Sequence, residues 1–496
     1  MNAGLEVDPL LFAGAVLLTA GVVIAGLAQR SRAPALLLFL GLGMAIGDDG
    51  TGWVSFDDAG LAQAIAVLAL VVILFEGGLG TSTDDLRSVA APASILATLG
   101  VVITGLLLAG ILIVVTDVDA LTCMLIGAVV ASTDAAAVFS VMRTTPVGRR
   151  LTTLIETESA ANDPVAVLMT VGVLVAWESD PTVADWVVFG LRQLIGGLVV
   201  GLVVGVLAAG VVRSERLGAA AFYPVFAFAV AGVAYGLGTF LGASGFLAVY
   251  VAGVAIRAGT VRHRGQILRF HEGLAAVAQI SLFLILGLLV FPAELLDVAV
   301  TGIVAAVGLI FVARPIAVGL ILPWFGFRPP EVVFAAWGGL RGAVPIVLAT
   351  FPLTAGYPDG ALVFDVVFFI VLASAIVQGL TLTPVARALR LEVARSATAD
   401  VVAGIVPIDL AGLDVVELEV GPDHAVSGCQ LIDRPMPAGT RVAATVRGDQ
   451  VLIPDGHTRI EAGDLLVVVV PQDDNVVVER LERWVTGEPF EEDADG

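Results

Sequence analysis

The residues capable of chemistry gather in three short runs. Ala131-Ser132-Thr133-Asp134 closes one apolar stretch, and Glu158-Ser159-Ala160-Ala161-Asn162-Asp163-Pro164 lies inside the next. Glu158 and Asn162 stand four residues apart and share one helix face, and Ser159 and Asp163 form the same pair on the neighbouring stripe. Ser, Thr and Asp side chains compete with a helix for its backbone hydrogen bonds, so 132–134 is a candidate unwound segment. Unwound backbone inside a membrane exposes carbonyls that can take the place of a cation's water shell. Pro164 removes a backbone donor and is expected to loosen the helix beside Asp163. The third run, Trp337-Gly338-Gly339-Leu340-Arg341-Gly342-Ala343-Val344-Pro345, is another interrupted segment that carries a charge. Carboxylate, hydroxyl and carbonyl oxygens suit hard cations rather than copper, zinc or iron.

These runs sit in a chain of 496 residues that is 58% hydrophobic and only 14% charged. Soluble proteins carry roughly 45–50% apolar and about 25% charged residues, so the excess belongs in lipid. Each crossing needs about 20 apolar residues. Thirteen spans are read near 10–29, 33–47, 59–79, 88–116, 119–142, 150–177, 186–212, 219–240, 242–257, 270–292, 295–322, 331–352 and 361–385. The fold class is an all-α polytopic membrane protein with inverted repeats and two interrupted helices, followed by a small α+β domain. A charge at mid-membrane costs at least ~2.5–3.5 kcal/mol, so it faces a cavity or a partner and marks an ion path. Asp134, Glu156, Glu158, Asp163, Arg314 and Arg341 lie within spans, whereas Arg192, Glu76 and Glu272 lie near span ends and can snorkel to the interface. Gly41-Leu42-Gly43-Met44-Ala45-Ile46-Gly47 has the wrong spacing for a dinucleotide loop and reads as close helix packing by small residues.

Several function classes drop out. All 25 basic residues are arginine, so the chain has neither a P-loop lysine nor a Schiff-base lysine. A net charge of −21 argues against nucleic acid as a partner. Cys123 and Cys429 form no disulfide framework. The four histidines are scattered, and no nucleophile–base arrangement or metal-site spacing is present, so no enzyme activity and no cofactor are expected. Without a nucleotide motor, transport must run on an existing ion gradient.

The arginines set the orientation. Alternate loops carry arginine (Arg30, Arg87, Arg150, Arg213, Arg264, Arg328 and Arg387 among them), and the loops between carry acids without arginine (Asp49, Asp58, Asp117, Asp119, Asp185 and Asp359 among them). The positive-inside rule puts the arginine side in the cytoplasm, with the N-terminus outside and the C-terminus inside.

At these residues the sequence resembles the NhaP-type cation/proton antiporters, bacterial relatives of the sodium/proton exchangers. The matching pieces are Phe75-Glu76-Gly77-Gly78-Leu79, Ala131-Ser132-Thr133-Asp134-Ala135, Glu158 to Asp163, Ala313-Arg314-Pro315 and Gly338-Gly339-Leu340-Arg341-Gly342, in order and in the expected spans. The resemblance implies thirteen helices, a homodimer in the inner membrane, and interrupted fifth and twelfth helices that cross near the ion site. It implies that Asp163 holds either the cation or the proton, with Thr133, Asp134 and Ser159 supplying further oxygens. Glu158 and Asn162 would orient the site, Glu158 would pair with Arg314, and Arg341 would stabilise the helix ends at the twelfth-helix break. One departure is Ala135, where many relatives carry proline; the potassium-linked subgroup looks similar there. Burial favours the protonated form of a carboxyl and a neighbouring cation favours the ionised form, so proton and metal ion compete for one group. Because Asn162 is neutral, a single titrating carboxylate implies one proton per monovalent cation and electroneutral exchange.

Beyond residue 395 the composition shifts: residues 396–496 hold 20 acids and 6 arginines. Val415–Val420, Arg441–Arg447 and Val451–Ile453 across a turn at Gly448-Asp449-Gln450, and Asp464–Val470 read as strands, with a short helix near 474–485. Ser427-Gly428-Cys429-Gln430-Leu431 and Gly463-Asp464-Leu465-Leu466 resemble the C-terminal RCK or TrkA-C domain of potassium transport systems, which implies dimerisation and gating by a small ligand. The expected organisation is a transport domain over 1–390, a linker at 391–401, a regulatory domain over 402–485 and a disordered acidic end at 486–496. The reading is antiport of cytoplasmic K+ or Na+ against external H+ in the service of pH homeostasis, the tail favouring K+. The alternative is a ligand-gated cation channel, which would pass ions without moving protons.

Overall fold

The structure, a computed structural model, describes residues 7–31, 35–47, 49–54, 56, 58–81, 83–134, 147–179, 182–214, 216–259, 263–391, 402–408, 413–422, 424–447, 450–471 and 477–487. Ala135, most of the 391–401 linker, the turn at 448–449 and nearly all of the acidic end at 486–496 lie outside these. The chain divides into two compact units, residues 1–260 with 266–392 and residues 393–496 with the short stretch 261–265.

In the first unit the apolar runs fold as helices α1 (Val7–Ser31), α2 (Ala35–Ile46), α3 (Ala59–Gly80), α4 (Thr83–Ile95 continuing through a π-turn, Leu96–Gly100, into Val101–Val115) and α5 (Ala120–Val129). They continue as α6 (Arg149–Glu178), α7 (Val183–Arg213), α8 (Phe222–Phe240), α9 (Gly245–Gly259) and α10 (Arg264–Leu288). After these come α11 (Ala299–Gly308, a π-turn Leu309–Ala313, then Arg314–Ile321), α12 (Pro329–Trp337), α13 (Ala343–Thr354) and α14 (Gly360–Ala388). Among the described residues eight helices are long and apolar enough to cross a membrane, and five further apolar helices are shorter. Helices α5 and α13 are short because the chain breaks beside each, at 130–134 and 338–342. One order occurs twice: a helix with a π-turn, a short helix that stops at a break, then a long helix (α4, α5, α6 and α11, α12, α14), with α13 resuming after the second break. The expected loosening at Pro164 is not seen, since α6 runs unbroken through it; the ring leaves only the carbonyl one turn back without its usual donor.

The acid-only loops have a local reason for their carboxylates. Leu61 N–H donates to Asp58 Oδ1 (2.9 Å), Leu121 N–H donates to Asp119 Oδ2 (2.9 Å), and Thr182 with Asp185 forms a capping box on α7. These oxygens satisfy helix N-termini and meet the positive end of the dipole. Small residues set the closest helix contacts. A Cβ on Gly43 would lie 2.5 Å from the Leu284 carbonyl oxygen and 2.9 Å from Gly287 Cα, so α2 and α10 touch backbone to backbone as read from the Gly41–Gly47 run.

The second unit is a five-stranded antiparallel sheet, β1 (Val402–Ile408), β2 (Leu413–Glu419), β3 (Arg441–Arg447), β4 (Gln450–Leu452) and β5 (Leu465–Pro471), in the order β1-β2-β5-β3-β4. Val416 and Leu418 of β2 pair in register with Val468 and Leu466 of β5, and this face buries Leu481, Trp484 and Val485 of helix α15 (Val477–Thr486). At the start of β5, Asp464 is buried and accepts from Arg447 Nε (2.7 Å), Arg447 Nη2 (2.8 Å) and Glu461 N–H (2.8 Å). Burial pushes the Asp464 carboxyl up, but the guanidinium fork and the backbone donor outweigh it and hold the group below the usual carboxylate range. A depressed folded-state pKa gives stability that is present above the unfolded carboxyl range near ~3.9 and is lost as pH falls through the folded value. Asp464→Asn is expected to cost this unit about 2–3 kcal/mol at neutral pH and to flatten its acid sensitivity. Hydrogen exchange of β3 and β5 in the full chain checks this, and an acid profile unchanged from wild type would count against it.

Candidate functional site

The two broken segments cross and exchange caps. Asp134 N–H donates to the Leu340 carbonyl (2.8 Å), and Asp134 Oδ2 accepts from Ala343 N–H (3.0 Å), the first residue of α13. In return, Arg341 Nη1 donates to the carbonyls of Ala131 (3.1 Å) and Ser132 (2.5 Å), just past the end of α5. A carboxylate thus sits at a helix N-terminus and a guanidinium at a helix C-terminus, the favourable sign at both ends. Each break thus satisfies some of the backbone groups that the other frees, in an interior that supplies no water to do so. The crossing is tight: a Cβ on Gly339 would lie 2.8 Å from Arg314 Nε and 3.2 Å from Thr133 Cγ2.

Helix α6 presents its polar face to this crossing. Arg314, directly after the π-turn of α11, donates to both oxygens of Glu158, Nη1 to Oε1 at 3.0 Å and Nη2 to Oε2 at 2.8 Å. Asn162 Nδ2 donates to Glu158 Oε1 (3.0 Å) and Thr133 Oγ1 (2.6 Å), and Thr133 Oγ1 is hydrogen-bonded to Ser159 Oγ (2.8 Å). Thr133 N–H donates to Asn162 Oδ1 at 3.4 Å. All of these side chains are buried. Asp163 is buried beside them, with Asp134, Ser132, Glu158 and Arg341 acting on its carboxyl, and its Oδ1 makes no hydrogen bond among the described residues. The structure therefore brings together all eight residues marked in the sequence: Thr133, Asp134, Glu158, Ser159, Asn162, Asp163, Arg314 and Arg341.

Three supporting residues on α14 escape a reading that searches for charge. Arg341 N–H donates to Ser374 Oγ (3.1 Å), which donates to Gln378 Oε1 (2.6 Å), while Gln378 Nε2 donates to the Trp337 carbonyl (2.9 Å). Trp337 Nε1 closes the set on Thr381 Oγ1 (3.0 Å). Ser374, Gln378 and Thr381 repeat at i, i+4 and i+7, a helical stripe legible in the sequence despite its apolar surroundings. Outside the site, Arg192 Nη2 donates to the Leu241 carbonyl (2.8 Å), so it caps α8 as well as reaching the surface. Gln378→Ala is expected to slow turnover several-fold, through loss of one link in this splint, and to leave cation KM near wild type; an unchanged rate would separate the splint from transport.

The transmembrane sodium/hydrogen exchanger family matches residues 15–388, three quarters of the chain. The chain belongs to this family. A TrkA-C domain matches residues 415–482, over the second unit. The exchanger is 36% identical over 476 residues to the K(+)/H(+) antiporter NhaP2 of Shewanella sp. (strain ANA-3), covering 94% of this chain and 81% of that one. It is 38% identical over 467 residues to the K(+)/H(+) antiporter NhaP of Alkalimonas amylolytica, covering 92% and 80%. Its fold is that of the sodium proton antiporter MjNhaP1 from Methanocaldococcus jannaschii, with a TM-score of 0.64 at 23% identity over 78% of this chain and 97% of that one. The exchanger is a multi-pass membrane cation/proton antiporter, and membership sets exchange above the channel reading.

Proposed function

We propose that the exchanger moves cytoplasmic K+ out against external H+ by alternating access, with cation and proton competing for the Asp163 carboxyl. The observation that carries this reading is the Asp163 carboxyl itself, buried beside two crossed helix breaks with one oxygen that takes no hydrogen bond among the described residues. Thr133, Asp134 and Ser159 supply further oxygens to the cation. Glu158, Asn162, Arg314 and Arg341 hold the crossing in place. Exchange is electroneutral, because the neighbouring Asn162 cannot titrate and one carboxylate carries one proton or one monovalent cation. K+ rather than Na+ is supported by the names of the two relatives that match over nearly the whole chain. The arginine loops face the cytoplasm, the N-terminus is outside, and the C-terminal unit regulates transport through a small ligand in a homodimer of the inner membrane.

Cation-induced proton release from inverted vesicles tests the reading. Wild type is expected to respond to K+ at lower concentration than to Na+, without net current under voltage clamp, and Asp163→Asn to lose the response to both. Exchange that survives in Asp163→Asn would remove that residue from the site, and a current proportional to turnover would remove electroneutrality.

A further inference from the structure

The oxygens at the crossing are not equally available to an arriving ion. Thr133 Oγ1 is engaged with both Asn162 Nδ2 and Ser159 Oγ, Asp134 Oδ2 holds the Ala343 N–H, and the Ala131 and Ser132 carbonyls take Arg341. Two buried side-chain oxygens in the described part of the membrane unit have no hydrogen-bond partner: Ser132 Oγ and Asp163 Oδ1. They belong to side chains that interact with each other, and Ser132 is fully buried. An orphaned buried hydroxyl costs free energy without a compensating partner, and water supplies such a partner only where the site is roomy and polar. Among the described residues no backbone group bonds to the Ser132 hydroxyl, so loop geometry does not force a polar side chain here; the group it acts on is the Asp163 carboxyl.

We infer that Ser132 is a cation ligand in its own right: its Oγ and Asp163 Oδ1 make the first protein contacts of an entering monovalent cation, before the Thr133–Ser159–Asn162 network opens to complete the shell. The inference rests on the reading of Asp163 as the exchange carboxylate and adds a specific neutral oxygen to it. A hydroxyl oxygen and a carboxylate oxygen form a hard pair suited to an alkali cation. The hydroxyl oxygen adds a neutral ligand for the metal ion beside the Asp163 carboxylate.

Ser132→Ala is therefore expected to raise the apparent KM for K+ about tenfold with kcat near wild type, the scale of one lost contact to a charged group. Ser132→Thr, which keeps the hydroxyl, restores most of the affinity. A general packing defect would lower kcat or protein yield and would not be rescued by the hydroxyl. Wild-type KM in Ser132→Ala overturns the assignment, as does an effect that Ser132→Thr shares in full. Asp163→Asn measured alongside separates the two levels: its inactivity with an unaffected Ser132→Ala keeps the exchange carboxylate and removes Ser132 alone, whereas activity in Asp163→Asn removes the underlying site.

Discussion

Arg314→Ala is expected to destabilise the membrane unit by about 3–5 kcal/mol, seen as a large fall in thermal midpoint in detergent and a fall in folded yield. The guanidinium donates to both Glu158 oxygens at 3.0 and 2.8 Å, and both side chains are buried. Removing one member leaves the other charge uncompensated, which is the costly case; the intact pair itself stabilises little, because desolvation offsets most of the attraction. It follows that Glu158→Leu combined with Arg314→Met recovers at least half of the lost stability. The recovered protein would still transport poorly, because Asn162 loses the Glu158 oxygen that holds its amide toward Thr133. A single variant that melts like wild type would show that the pair is already solvated.

Gly342→Ala is expected to cut exchange about 10–100-fold while leaving most of the protein folded. A Cβ at this position would lie 1.6 Å from Asp134 Oδ2 and 2.4 Å from its Cγ, so the carboxylate has to leave the N-terminus of α13. Losing a charged hydrogen bond at a helix terminus costs about 1.5–3 kcal/mol, and each 1.36 kcal/mol is a factor of ten if it is felt in the rate-limiting state. Asp134→Asn keeps an oxygen able to accept from Ala343 N–H, so on the capping role alone it is the milder change. Initial rates of proton release for the two variants give the order. If Gly342→Ala matched wild type, the exchanged caps would not matter to turnover.

Much of this site was legible because its residues break rules of the surrounding sequence. Asp134, Glu158, Asp163, Arg314 and Arg341 are charges in apolar spans, and Gly338, Gly339 and Gly342 interrupt a helix, so hydropathy and composition mark them directly. The pairing of Glu158 with Arg314 came from the family pattern, since two residues 156 positions apart have no local signal. Ser374, Gln378 and Thr381 are uncharged and barely lower the hydropathy of α14, and their role depends on contacts with Trp337 and Arg341 that sequence cannot see. Strand β1 was missed because Gly404 and Pro407 suppress a strand pattern, and it forms at the sheet edge, where proline is tolerated. The π-turns before Arg314 and within α4 leave no sequence signature, because they shift hydrogen-bond partners without changing the apolar run.

Competition at a single carboxyl is tested most directly by the apparent KM for K+ measured across a range of pH at saturating and limiting cation. One site shared by proton and cation gives a KM that rises tenfold for each unit of acidification below the site's pKa, with the maximal rate unchanged at saturating K+, and Asp163→Asn abolishes the dependence together with exchange. A KM that stays constant while the maximal rate falls with acid would place the proton and the cation on different groups.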